Sequence, residues 1–172
     1  MNNLSLVQTQ PPGSKALASQ SLTPLTHSYL RFNLGSQPAL LPTRQVQEVI
    51  ATPVARITPM PNMPPALLGL LNRRSRVLWV VDLALLLGLP TAYPTSQQYN
   101  LVLMQIGPVT LGLRVSHVEG ILSLAPQHLQ PAPAHAPPGL VPFLRGCVLQ
   151  NGDVLLSLDG EALLRAPELQ PL

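Results

Sequence analysis

The chain has 172 residues, 46% of them apolar, 10% charged and 3% aromatic, with a formal charge of +3. That length suits one domain or two small ones with a real core, and ten basic residues scattered along it lack the clustered face of a nucleic-acid binder. The single cysteine, Cys147, excludes an intramolecular disulfide and any zinc site built on several thiolates.

Residues 1–27 are rich in Gln, Ser, Thr and Pro and show no apolar period, so they read as a disordered tail ahead of a domain at 28–166. They lack the basic start and apolar stretch of a secretory signal. The most apolar run, residues 77–89, is interrupted by Asp82 and is too short to span a bilayer. The expectation is a cytoplasmic protein without direct membrane insertion.

Residues 29–34 alternate Tyr29, Arg31 and Asn33 against Leu30, Phe32 and Leu34, the period of a strand. Gly35-Ser36 marks a turn, residues 39–42 resume an extended run, and residues 45–50 read as a short turn into a strand. Prolines from Pro53 to Pro65 then interrupt regular structure, with Pro64-Pro65 suited to the first turn of a short helix. LLGLLNR and RVLWVVDL, joined at Arg74-Ser75, predict a hairpin. Val77, Trp79 and Val81 share one face of its second strand, and Leu78 and Val80 make the other face apolar too, so both faces are expected to be buried. Residues 84–88 predict a short helix closed by Gly88 and Pro90, and residues 93–98 a polar connector.

The second half repeats the plan. Residues 101–107, 109–115 and 118–124 are strand-like, and residues 126–142 form a Pro/Ala-rich loop. FLRGCVLQ and DVLLSLD follow, joined by the strong hairpin signal Asn151-Gly152, and residues 160–165 predict a final short helix. A shift of about 72 positions pairs Gly35 with Gly107, Val46 with Val118 and Val49 with Ile121. A shift of about 77 pairs Gly69 with Gly146, Ser75 with Gly152 and Asp82 with Asp159. The repeat predicts two small antiparallel β units of about five strands each, the second over about 99–158, an arrangement that suits closed barrels. Val77, Trp79, Val81, Leu113, Val115 and Leu156 are expected in the core.

Catalytic chemistry is missing. The histidines His27, His117, His128 and His135 lie apart, and His117 with Glu119 reads as a surface pair rather than a metal site. Cys147 sits in an apolar run and reads as an inert buried thiol. Asp82 and Asp159 follow the last strand of each repeat and read as helix N-caps. No metal, cofactor or catalytic turnover is expected. Arg73, Arg74 and Arg76 form the one charge cluster, at the tip of the first hairpin, and two readings stand: a solvated turn or a docking patch.

Four blocks resemble the CheW-like coupling family, adaptors that link chemoreceptors to the CheA histidine kinase. YLRFNLGSQPALLPTRQVQEVI resembles its opening block, with Val46-Gln47-Glu48-Val49 as its V-x-E-V run. ITPMPNMPPALLGLLNRRSRVLWVVDL resembles its most specific block, with Pro61-Asn62, Gly69, Asn72, Arg74 and Val80-Val81-Asp82-Leu83 in place. LGLRVSHVEGILSL and FLRGCVLQNGDVLLSLD resemble its second half. The resemblance implies a mainly β fold of two SH3-like five-stranded antiparallel barrels in tandem with a shared core and short helices. It also implies a non-enzymatic adaptor at membrane-associated receptor arrays. Its partners would be the cytoplasmic tip of a methyl-accepting chemoreceptor and the regulatory domain of a CheA-type kinase, and nucleic acid is not among them.

The family positions tied to receptor contact fall on Val46, Glu48 and Arg74, and Asn72 and Arg73 are carried with them as protein-binding candidates. Glu48 and Arg74 either pair with each other or meet polar groups of the receptor. Arg73 stands where the family has leucine, Ser75 where it has the turn glycine, Trp79 where proline is frequent and Ser116 where an acid is usual. Trp79 is expected to be core, while Arg73 and Ser116 point to altered partner specificity. The rival readings are a β-barrel module for peptides or sugars, which needs an aromatic-lined groove that few aromatics can supply, and an enzyme, for which no nucleophile–base pair is present.

Overall fold

The computed structural model describes residues 25–90 and 95–170. The strands are β1 (His27–Leu34), β2 (Gln37–Pro42), β3 (Val46–Pro53), β4 (Ile57–Thr58), β5 (Leu67–Arg73) and β6 (Arg76–Asp82), followed by helix α1 (Leu83–Leu86). The second half supplies β7 (Gln98–Ile106), β8 (Val109–Val115), β9 (His117–Leu124), β10 (Leu144–Gln150), β11 (Asp153–Leu158) and helix α2 (Gly160–Leu164). The expected tail falls mostly on residues outside those described, but His27 already begins β1. The expected connector at 93–98 lies partly outside them too. Pro64-Pro65 lead into a turn closed by Leu67 N–H donating to the Pro64 carbonyl, not into a helix.

The protein is mainly β. One sheet runs β10-β11-β2-β1-β9 and the other β3-β7-β8-β6-β5-β4. The first has the expected five strands, and the second gains a sixth, the two-residue β4. The sheets do not follow the repeat boundary. The opening hairpin of the first repeat, β1–β2, joins the closing strands of the second, and the opening hairpin of the second, β7–β8, joins the closing strands of the first. The segment 99–158 is thus divided between the sheets. Parallel pairs β2–β11 and β6–β8 stitch each borrowed hairpin in place.

Strand parity explains the core. Leu30, Phe32, Leu34, Ala39, Leu41, Val81, Val102, Met104, Leu113, Val115, Leu156 and Leu158 turn toward one cluster shared by the two sheets and by α1 and α2. Their neighbours one residue on turn the other way, into a cluster around Leu78, Val80, Leu101 and Leu103 in one sheet and around Leu40, Val148 and Leu155 in the other. Two buried faces give the near-continuous apolar runs seen in the sequence. Trp79 packs half-buried against the shared cluster. Val77 is a correction: it lies on the Trp79 face but is 65% exposed, because it sits at the hairpin end opposite Asn72 and outside the shared core.

The repeat is visible in the backbone. Gln47 is the extra residue of a bulge between β3 and β7, and Glu119 is its counterpart between β9 and β1. Gly69 and Gly146 occupy matching irregularities at φ 141° and 155°, where an added Cβ would lie 2.2 Å from the carbonyl oxygen of Thr58 and of Gln130 respectively. Only glycine fits so close a backbone approach. Asp82 and Asp159 cap α1 and α2, accepting from Leu85 N–H at 3.0 Å and from Glu161 and Ala162 N–H at 3.0 and 3.2 Å. Asp82 is buried and also takes Arg114 Nη1 at 3.0 Å, with the guanidinium over the Tyr99 ring. Ser116 acts inside the fold, where its hydroxyl accepts from Gly35 N–H at 2.6 Å and fixes the β1–β2 turn.

Candidate protein-docking site

The β5–β6 hairpin closes with a two-residue turn, Arg74-Ser75, and pairs Arg73 with Arg76 directly across it. Arg74 and Ser75 have φ of 49° and 62°. Positive φ at both turn residues is the type I′ pattern that matches strand twist, and it favours Asn-Gly. The counterpart turn, Asn151-Gly152, has φ of 51° and 83° with that favoured pair. The two turns therefore share one backbone geometry although Ser75 stands where the second has Gly152. An arginine and a serine are held where side chains are disfavoured.

Beside the tip runs β3. The bulge at Gln47 sets Glu48 opposite Leu103 and lets its carboxylate reach the hairpin. Arg73 Nη2 donates to Glu48 Oε1 at 2.5 Å and Arg73 Nε to Oε2 at 3.4 Å. Arg74 Nη2 reaches Oε1 at 3.3 Å. Side-chain exposures are 26% for Glu48, 31% for Arg73 and 75% for Arg74. The hydrogen bond from Arg73 holds the Glu48 carboxyl below the usual carboxylate range; partial desolvation opposes this, and the charges of Arg73 and Arg74 add to the lowering.

The principal partner of Glu48 is thus Arg73, with Arg74 second. The sequence leaves Glu48 and Arg74 either paired with each other or facing a partner, and does not show Arg73 as the main partner of Glu48. Asn72 is exposed on β5 opposite Val77. Val46 is half-buried at the start of β3 and packs on the shared core, apart from this cluster. A groove of about 920 Å³ runs along the tip, lined by Gln47, Glu48, Arg73, Arg74, Arg76 and Val77 and by Leu103, Gln105 and Thr110 of the β7–β8 hairpin, which lies between β3 and β6 in the sheet. The protein-binding candidates named from the sequence omit Arg76, Val77 and the β7–β8 wall. Arg76 was legible as part of the charge run, whereas the wall depends on a hairpin borrowed from the other repeat.

The cluster is not repeated. Glu48, Arg73 and Arg74 correspond to Gly120, Gln150 and Asn151, so the same backbone carries the acid–arginine cluster on one sheet only. Cys147 is buried, and its thiol contacts the Pro131 carbonyl at 3.3 Å. His117 and Glu119 lie exposed on β9, where Glu119 accepts from Asn33 Nδ2 at 2.7 Å. Among the described residues no three His, Cys, Asp or Glu side chains gather to hold a metal, and no helix is long and apolar enough to cross a membrane.

Comparison with known proteins bears on the chain as a whole. The CheW-like domain family model matches residues 28–168. The chain is 28% identical to the chemotaxis protein CheW of Rhizobium meliloti over 151 residues, covering 88% of this chain and 96% of that one. It is 29% identical to the probable chemotaxis protein CheW of Rhizobium etli, with the same coverage. Among solved structures, the scaffolding protein TtCheW of Thermoanaerobacter tengcongensis superposes with a TM-score of 0.69 at 20% identity, over 78% of this chain and 90% of that one.

Proposed function

The chain belongs to the CheW-like domain family, and we propose that it is a non-enzymatic scaffold of chemotaxis-type signalling that couples a chemoreceptor tip to a CheA-type histidine kinase. In this reading it works at membrane-associated receptor arrays, held there by its partners. The acid–arginine tip of β3 and the β5–β6 hairpin is the receptor-facing part, with Glu48, Asn72, Arg73 and Arg74 as contact residues and Val46 supporting β3 from the core side. The kinase regulatory domain takes another surface.

The observation that carries this is Arg74. Its guanidinium stands 75% exposed at a φ of 49° that disfavours arginine, while the matching position holds Asn151, a residue type that tolerates the left-handed region. An arginine set against its local backbone preference, and held by the fold through one contact at 3.3 Å, has most of its guanidinium available to a partner.

Coupling needs no covalent step. It requires two docking surfaces on one rigid body, and the shared core of two interlocked sheets supplies that body. The test is calorimetric titration of the parent and of Arg74→Ala with a receptor hairpin fragment and with the kinase regulatory domain. Loss of receptor affinity by about thirtyfold, with the kinase domain still bound, supports the reading. Parent protein that binds neither fragment refutes it.

A further inference from the structure

Building on the adaptor reading, we propose that the hairpin tip is a carboxylate clamp: Arg74 and Arg76 receive acidic side chains of the docking partner, and Arg73 is a positioning residue that occupies Glu48. Three arginines and one acid stand within this tip, a net of +2 (three positive, one negative), and Glu48 is the sole acid lining the groove. Arg73 engages both oxygens of Glu48 and so neutralises the one group that would repel an acidic partner. Arg74 shares a single oxygen at 3.3 Å and is otherwise in solvent. Arg76 is exposed and forms no ion pair with any described residue.

Arg73 and Arg76 also face each other directly across the strand pair. Like charges so placed repel; Glu48 offsets the Arg73 charge, which leaves Arg76 to take an incoming carboxylate through the bidentate bonds that a guanidinium favours. Val77, 65% exposed next to Arg76, gives the partner an apolar contact beside the charges. No aromatic side chain lines the groove, so there is no platform for stacking nucleic-acid bases. The occupant is therefore an acidic protein segment carrying at least a pair of carboxylates.

The experiment measures affinity for the receptor hairpin fragment, the kinase regulatory domain and a short polyglutamate peptide, at low and at raised salt. The variants are Arg76→Glu, Arg74→Glu/Arg76→Glu, Arg73→Leu and Arg73→Leu/Glu48→Gln, each checked for an unchanged thermal melt. Arg76→Glu should weaken binding of the acidic probe by about tenfold or more, and in the double glutamate variant, whose tip carries −2 instead of +2, added salt should no longer weaken whatever binding remains. Arg73→Leu should weaken binding by exposing the Glu48 charge, and adding Glu48→Gln should restore it, a recovery that a merely structural role for Arg73 would not give.

If the parent binds a natural fragment and Arg76→Glu binds it as tightly at low salt, the clamp is overturned while the adaptor reading stands. If neither fragment binds but polyglutamate does, in an Arg76-dependent way, the adaptor reading fails and the clamp stands. Failure of Glu48→Gln to restore Arg73→Leu removes the positioning role of Arg73.

Discussion

Replacing Ser75 with glycine should stabilise the protein. Ser75 sits at φ 62° in the second position of the β5–β6 turn. A residue with a Cβ in the left-handed region costs about 1–2 kcal/mol. Glycine removes that cost but adds freedom to the unfolded chain, worth about 0.4–1 kcal/mol against folding. At the middle of those ranges the net expectation is stabilisation of about 0.8 kcal/mol, a rise in melting temperature of about 2–3 °C for a domain of this size. The second hairpin supplies the reverse experiment: Gly152, at φ 83° in the matching position, should lose a similar amount when changed to serine. Ser75→Ala keeps the Cβ and should leave the melt nearly unchanged. Thermal and urea unfolding of the three variants beside the parent decide the matter. A Ser75→Gly protein that melts at or below the parent temperature, together with a neutral Gly152→Ser, would refute the claim that the tip is held in a disfavoured backbone conformation.

Arg74→Ala should shift stability by no more than about 0.5 kcal/mol, as for an exposed side chain, because the backbone strain remains and Arg73 keeps Glu48 paired; urea unfolding checks this. Gly69→Ala and Gly146→Ala should each cost about 3 kcal/mol or more, since a Cβ would lie 2.2 Å from a carbonyl oxygen, and soluble yield with thermal melting reports it. Asp82→Ala should cost about 3 kcal/mol, because it breaks a buried ion pair as well as a cap, whereas Asp159→Ala should cost about 1 kcal/mol for its more exposed cap; denaturant midpoints give the contrast. Glu48 has a lowered folded-state pKa, so its contribution is present above its unfolded value of about 4.3 and fades as pH falls through the lower folded value; the stability gap between the parent and Glu48→Gln should narrow over that acid range.

Strand parity made most of the core legible. Leu30, Phe32 and Leu34 alternate as a strand requires, and Val77 to Val81 read as buried on both faces because two clusters flank that sheet. The reading failed at Val77, since period alone does not say where the opposing sheet stops covering a face. The caps at Asp82 and Asp159 were legible from their place after the last strand of each repeat.

The exchange of hairpins between sheets was not legible. A repeat establishes that two segments fold alike, and says nothing about which copy supplies the pairing partner of β1 or β7. The site was half legible for the same reason. Glu48 and the arginine run stood out as charges in an apolar chain, but the choice of Arg73 over Arg74 as the main partner of Glu48 depends on the Gln47 bulge and the left-handed turn. Both are set by pairing across the sheet.

The central claim is that this protein holds two partners at once on separate surfaces. Sedimentation velocity of the protein mixed with a receptor hairpin fragment and the kinase regulatory domain tests it most directly. The account predicts a ternary species that contains all three chains and that loses only the receptor fragment on Arg74→Ala. A mixture in which the receptor fragment and the kinase domain displace each other, with no ternary species at any ratio, would contradict it.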